Sequence, residues 1–208
     1  MEVSVKKRVI VYIDGFNLFF ALREKNWPFF MWLDVTKLAQ KLISTNQTLV
    51  EVKYFTSRIT NNPGKQKRQN TYLDALGTLN NLQIIYGNYQ TEFLSCPGCG
   101  VVKHIPGEKQ TDVNIATEML VDAFTDKADD LILITADSDQ CPAMKAVRSA
   151  GKRVVIALPP GREKFMEVKF AADSSFDISA KHLRDALLPE EITLPSGFVI
   201  KCSDKWKP

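Results

Sequence analysis

The sequence predicts an α/β protein with three layers, α/β/α, around a mostly parallel central sheet. Three observations carry this. Short apolar, β-branched runs alternate with helical patterns along the chain, as in successive βαβ units. The runs at 9–13 (Val-Ile-Val-Tyr-Ile) and 131–135 (Leu-Ile-Leu-Ile-Thr) are nearly uninterrupted, as strands covered on both faces are. Each closes on acid: Asp14 directly after the first, Asp137 and Asp139 after Ala136 at the end of the second. Ligands of open parallel sheets bind outside the carboxyl ends of the strands, where the strand order reverses. Two buried strands ending in aspartate therefore predict one acidic pocket.

In order, strands are expected at 9–13, 49–55, 82–86, 131–135 and 153–158, with a short sixth at 176–178. Helical patterns fall at 17–24, 34–43, 66–79, 112–124, 141–149 and 181–187. Asp34 has the chemistry of an N-cap, with Lys37 three residues on in place of the glutamate of a full capping box. The helix opened by Asp112 places Ala116, Met119, Leu120 and Ala123 on one stripe, the spacing of a core-facing helix. Ala150-Gly151-Lys152 reads as a helix end with a glycine stop. Two segments break the alternation. Residues 60–67 (Thr-Asn-Asn-Pro-Gly-Lys-Gln-Lys) form a polar, basic approach to a helix, and residues 87–109 hold a cysteine pair and read as an insertion against the sheet edge. The expected organisation is one domain over 1–188, with this insertion near 87–109, followed by a proline-containing extension over 189–208.

Bulk properties set limits. At 208 residues there is ample chain for one large core. Lys+Arg 27 against Asp+Glu 24 gives a formal charge of +3, too mild to indicate nucleic-acid binding by itself. Clustering acids in one pocket would nonetheless leave the remaining surface more basic. The polar first residues lack the pattern of a secretory leader, and no apolar stretch reaches the roughly 20 residues that span a bilayer. Four cysteines, two of them in a C-x-x-C, do not resemble a secreted disulfide framework, so a cytoplasmic protein without membrane contact is expected.

Aspartates at strand ends and helix starts often do no more than cap helices and form turns. Convergence of Asp14, Asp112, Asp137 and Asp139 is a different matter, because close carboxylates repel unless a cation compensates them. Oxygen-only ligands select Mg²⁺ or Mn²⁺. One or two such ions would suit phosphodiester hydrolysis, the pair standing about 4 Å apart.

Three local sequences occur in order: Ile13-Asp14-Gly15-Phe16-Asn17-Leu18, Thr111-Asp112-Val113-Asn114 and Thr135-Ala136-Asp137-Ser138-Asp139. Together with Lys53-Tyr54-Phe55-Thr56, the helix at 65–76 and Gly151-Lys152-Arg153-Val154 leading to Pro159-Pro160, they resemble the NYN family of PIN-like nucleases, in its LabA-like branch. The resemblance covers most of the chain, from Val9 to about Asp173. It implies a three-layer fold whose acids coordinate Mg²⁺ and cut RNA, single-stranded by preference, leaving a 5′-phosphate and a 3′-hydroxyl. Carried over by residue, it makes Asp14, Asp112 and Asp137 metal ligands and Asp139 a ligand or the partner of a metal-bound water. Asn17 would orient a phosphate or a carboxylate, and Ser138 would donate a hydrogen bond at the pocket floor. Ala136 and Gln140 stand where the family usually has glycine and an apolar residue. The rival reading is an RNA-binding regulatory module that keeps the fold without useful catalysis.

Lys65, Lys67 and Arg68, at the start of a helix, and Lys109, just before Asp112, are candidates for the nucleic-acid backbone. Lys103 lies close by in sequence. Tyr54, Phe55, Tyr72, Tyr86 and Tyr89 suit stacking on unpaired bases or, more in keeping with burial habits, packing. Cys96-Pro97-Gly98-Cys99 has the form of a zinc knuckle, with His104 as a third ligand and Cys141, Cys202 or His182 to complete the set if the fold brings one near. Two knuckles joined across a homodimer, a simple turn and a redox pair are the other readings. Cys141 is expected to pack rather than act as a nucleophile.

Overall fold

The first apolar run forms β1 (Lys7–Asp14) and passes without a loop into α1 (Gly15–Glu24). A 3₁₀ turn (Pro28–Met31) and α2 (Val35–Leu42) precede β2 (Gln47–Thr56), and α3 (Pro63–Leu76) leads to β3 (Leu82–Tyr86). A hairpin of β4 (Asn88–Ser95) and β5 (Val102–Lys109) is followed by α4 (Thr111–Phe124) and β6 (Asp130–Ile134). A second 3₁₀ turn (Ser138–Gln140), α5 (Cys141–Ser149), β7 (Arg153–Leu158), α6 (Met166–Ala171), β8 (Ser174–Asp177) and α7 (Ala180–Arg184) come next. The chain ends in β9 (Glu191–Thr193), β10 (Val199–Lys201) and a last 3₁₀ turn (Asp204–Trp206). This computed structural model describes residues 5–60, 62–95, 98–163 and 165–207, and their side chains apart from those of 90–94 and 103–108.

Six strands form one parallel sheet in the order β3-β2-β1-β6-β7-β8. The chain builds outward from β1 in one direction, then returns to its other side through β6. The reversal therefore lies between β1 and β6, whose ladder runs from Val9 opposite Asp130 to Ile13 opposite Ile134. Alternation along β1 divides the interior. Val9, Val11 and Ile13 face a core with Leu18, Leu22, Leu38 and Leu73, under α1, α2 and α3. Ile10 and Tyr12 face a second core with Ile115, Met119, Met144 and Val168, under α4, α5 and α6. A helical layer on each side of a parallel sheet is the three-layer arrangement expected from the sequence.

The expected bounds of β3, β7 and α5 coincide with those found; α3 begins three residues earlier than expected, at Pro63. Asn62 caps that start by accepting from the Lys65 amide at 3.0 Å, and proline suits the first helical position because its missing N–H has no partner to lose there. The expected stripe on α4 is rotated. Ile115, Met119, Asp122 and Ala123 are buried, while Ala116 and Leu120 are only half-buried. An aspartate joins the buried face because partners await it. Tyr12 donates to Asp122 at 2.7 Å, Lys53 donates to Asp122 and to Glu118 (2.6 Å), and Lys127 pairs with Asp122 at 3.0 Å. This cluster fastens α4 to β1 and β2. Asn88–Ser95 and Val102–Lys109 pair antiparallel in a two-stranded sheet of their own, and the tail packs Ile200, Cys202 and Trp206 around Trp32 and Ala75. No helix is long and apolar enough to cross a membrane among the described residues.

Candidate active site

The carboxyl ends of β1 and β6 lie side by side, and each strand runs into a turn capped by its own aspartate. Asp14 is the N-cap of α1, its Oδ1 accepting from the Asn17 amide at 3.0 Å. Asp137 caps the 3₁₀ turn, its Oδ1 accepting from the Asp139 amide at 3.0 Å. Capping accounts for the backbone geometry but not for the link between the two turns. The Thr135 hydroxyl donates to Asp14 Oδ2 at 3.0 Å and accepts from the Asp137 amide at 3.2 Å. Asn17 reaches across, its Oδ1 accepting from the Ala136 amide at 3.1 Å. The Asn17 side-chain NH₂ has no hydrogen-bond partner among the described residues, so a donor remains at the pocket.

The third element enters through α4. Asp112 is in its first turn, and Gln140, 1% exposed, donates from Nε2 to the Asp112 carbonyl at 3.1 Å. Gln140 Oε1 is buried with no partner among the described residues. Gln140 thus pins the turn that carries Asp137 and Asp139 against the helix that carries Asp112. Electrostatics report the same convergence. Burial pushes Asp14 up to about 6, reinforced by the charges of Asp112 and Asp137 and opposed by its bonds from Asn17 and Thr135. Asp112 is also raised, by burial first and then by Asp137 and Asp139.

Four carboxylates that feel one another offer hard oxygen donors of the kind Mg²⁺ and Mn²⁺ prefer. They do not form a closed cage: among the described residues no three His, Cys, Asp or Glu side chains make a group that could enclose a metal ion. An open site still fits Mg²⁺ in kind, since that ion keeps several waters and is held by one or two carboxylates plus substrate phosphate.

Other expected residues disperse. Ser138 begins the 3₁₀ turn half-buried, and its hydroxyl makes no hydrogen bond among the described residues. Lys65 and Arg68, in the first turns of α3, line a cavity beside Gly15, whereas Lys67 is exposed outside that lining. Lys109 is exposed at the end of β5. Tyr54, Phe55 and Tyr72 are packing residues, as burial habits predict; Phe55 is wholly buried and Tyr72 donates to the Leu33 carbonyl at 3.0 Å. Tyr86 is exposed under the Arg58 guanidinium, 4.8 Å from its ring centre.

Of the zinc candidates, Cys96 lies outside the described residues and so does the side chain of His104; Cys99 is exposed. The completing residues are elsewhere. Cys141 packs in the core under α4 and α5, Cys202 packs around Trp32, and His182 Nδ1 accepts from the Ser179 amide at 3.2 Å as part of a capping box. Burial raises the thiols of both Cys141 and Cys202, which suits packing rather than nucleophilic chemistry.

Sequence reasoning assigned no role to Thr135, Gln140 or Gly15. Thr135 was visible as the last residue of an apolar run and the first of the Thr135–Asp139 motif, with no role of its own. A side chain at Gly15 would put Cβ 2.6 Å from the Tyr54 ring and 2.7 Å from the Phe55 carbonyl oxygen, so only glycine lets α1 start this close to β2.

Comparison with known proteins agrees with this fold. The NYN domain family matches residues 8–179. A curated relative, 6-hydroxy-3-succinoylpyridine 3-monooxygenase HspA of Pseudomonas putida, is 25% identical over 89% of this chain and 71% of its own length. A solved structure, a protein of unknown function from Vibrio parahaemolyticus, superposes with a TM-score of 0.57 at 18% identity, covering 90% of this chain and all of its own. At that identity the likeness concerns the fold alone.

Proposed function

The chain belongs to the NYN domain family, and on that premise we propose that it is a divalent-metal-dependent ribonuclease, cutting within single-stranded RNA. One observation carries the reading: Asp14, Asp112, Asp137 and Asp139 interact electrostatically at the carboxyl ends of β1 and β6, where the strand order reverses. Mg²⁺ or Mn²⁺ would be held by these carboxylates, and supplies activation of an attacking water and neutralisation of charge on the scissile phosphate. The chain's own groups do the positioning. Asp14, bonded to Asn17 and Thr135, fixes one edge of the site. Asp137 and Asp112, joined through the turn that Gln140 anchors, fix the other. The unpaired NH₂ of Asn17 is a donor suited to a phosphate oxygen. The expected products carry a 5′-phosphate and a 3′-hydroxyl, and a cytoplasmic setting and the LabA-like branch belong to the same reading.

The test is cleavage of end-labelled single-stranded RNA by wild type and Asp137→Asn, each with Mg²⁺, Mn²⁺ or EDTA. Metal-dependent cutting that disappears in the variant supports the nuclease. Binding without cutting by wild type would replace it with an RNA-binding module of the same fold. If RNA were neither bound nor cut, small substrates of the kind named for the Pseudomonas relative would come first.

A further inference from the structure

Beside Gly15 lies a cavity of about 320 Å³, walled by Phe16, Phe19 and Phe20 of α1, Tyr54 of β2, Tyr72 of α3 and Trp206 of the tail. Its volume lies in the range of small-molecule sites, roughly 300–1,000 Å³. The three phenylalanines are an unusual surplus. Leu18, Ala21 and Leu22 are buried on α1, Leu18 and Leu22 at the floor of the cavity, while Phe16, Phe19 and Phe20 line it half-exposed. Core packing therefore does not require them.

The charges around these rings have one sign. Arg23, Lys65, Arg68 and Lys205 line the cavity, and no described carboxylate does. None of the four forms an ion pair among the described residues, although many other basic side chains here do. The Arg23 guanidinium stands 4.8 Å from the centre of the Phe20 ring, which holds its fork at the cavity wall. Lys65 and Arg68 occupy the first two turns of a 14-residue helix, whose amino-terminal dipole adds to the positive field. Half-exposed rings on α1 and cations without a counter-ion call for the same complement: a flat, electron-rich body carrying negative charge.

We propose that this cavity binds a small aromatic anion, one or two rings bearing a carboxylate or a phosphate. The ring lies among Phe16, Phe19, Tyr54 and Trp206, and the anion meets Lys65 and Arg68. The site does not require the acidic cluster to be catalytic, so it stands apart from the nuclease reading.

Calorimetric titration of the full chain in EDTA tests it, with indole-3-acetate and adenosine 5′-monophosphate as probes. Their uncharged counterparts, tryptophol and adenosine, serve as controls. Saturable binding of at least one anion is expected, at least about tenfold tighter than its neutral counterpart. That binding weakens about tenfold in Arg68→Ala, the effect of losing one charge-assisted bond, and is retained in Asp137→Asn. Binding of the carboxylate alone identifies a small-molecule ligand, and binding of the phosphate identifies a nucleotide; either supports the site. Absence of binding by both anions, equal affinity for the neutral rings, or indifference to Arg68→Ala overturns it. Should Arg68→Ala not fold, Lys205→Glu at an exposed position carries the same comparison. Failure of the wild-type chain to cut RNA, with anion binding intact, would count against the nuclease and not against the cavity.

Discussion

Keeping Asp14 ionised works against the fold, and by an amount that can be worked out. Burial, then the charges of Asp112 and Asp137, lift it from 3.8 to about 6. At about 1.36 kcal/mol for each pH unit, that gap is worth about 3 kcal/mol. The direction is set by proton uptake. Between pH 3.8 and about 6 the folded chain holds a proton on Asp14 that the unfolded chain has released, so stability falls across this window and is level above it. Asp14→Asn removes the fall. Asparagine caps a helix as well as aspartate does, and the Thr135 hydroxyl can accept where it previously donated. In EDTA at pH 7–8 the variant is therefore expected to be more stable, by up to about 3 kcal/mol. For a chain of this size that is a Tm higher by up to about 10 °C. Carboxylates held below their usual range, such as Asp122 and Asp129, slope the opposite way but are common to both proteins and cancel in the difference. Calorimetric melting of both proteins from pH 3.5 to 8 is the assay. Parallel profiles across the window, or a less stable variant at pH 8, would refute the reasoning.

Saturating Mg²⁺ or Mn²⁺ is expected to restore part of the same free energy to wild type, raising its Tm more than that of Asp14→Asn; equal shifts in the two would separate the ion from Asp14. Lys53→Met removes one of the two cations that hold Asp122, leaving Lys127 and Tyr12, and is expected to cost about 1.5–3 kcal/mol in urea denaturation, with Lys53→Met/Asp122→Leu recovering much of it. A loss under about 1 kcal/mol in the single variant would show that the cluster does not hold α4. Gly15→Ala forces a methyl group against Tyr54 and is expected to lower Tm markedly, whereas Gly64→Ala, whose new Cβ has no neighbour nearer than 3.7 Å, is neutral or stabilising by up to about 1 kcal/mol. Matching Tm values for the two would refute the close contact.

How much of this could be read in the sequence depended on whether the signal was local. Strands covered on both faces announce themselves as apolar runs, and an aspartate after such a run has little choice but to sit at the sheet's carboxyl edge; hence Asp14 and Asp137 were legible. Lys53 was not, because a lysine in an alternating strand reads as solvent-facing. What buries it is Asp122 and Glu118, over sixty residues away. The rotated stripe of α4 has the same cause. Thr135 and Gln140 act through bonds to other elements, which spacing does not encode. The α6 helix is only six residues long, too short for its period to stand out.

The strand order also bears on how the chain reaches this state. β1 can pair with β2 as soon as residue 56 has been made, but its other edge waits for β6, more than 120 positions beyond Val9. Throughout that interval of synthesis a five-residue apolar run presents unsatisfied backbone amides and carbonyls, the kind of template on which chains join to one another. Parallel ladders between distant segments are slow to close for the same entropic reason. Nascent chains are thus most vulnerable to self-association before Ile134 emerges, and fragments ending short of β6 should aggregate where the full chain does not.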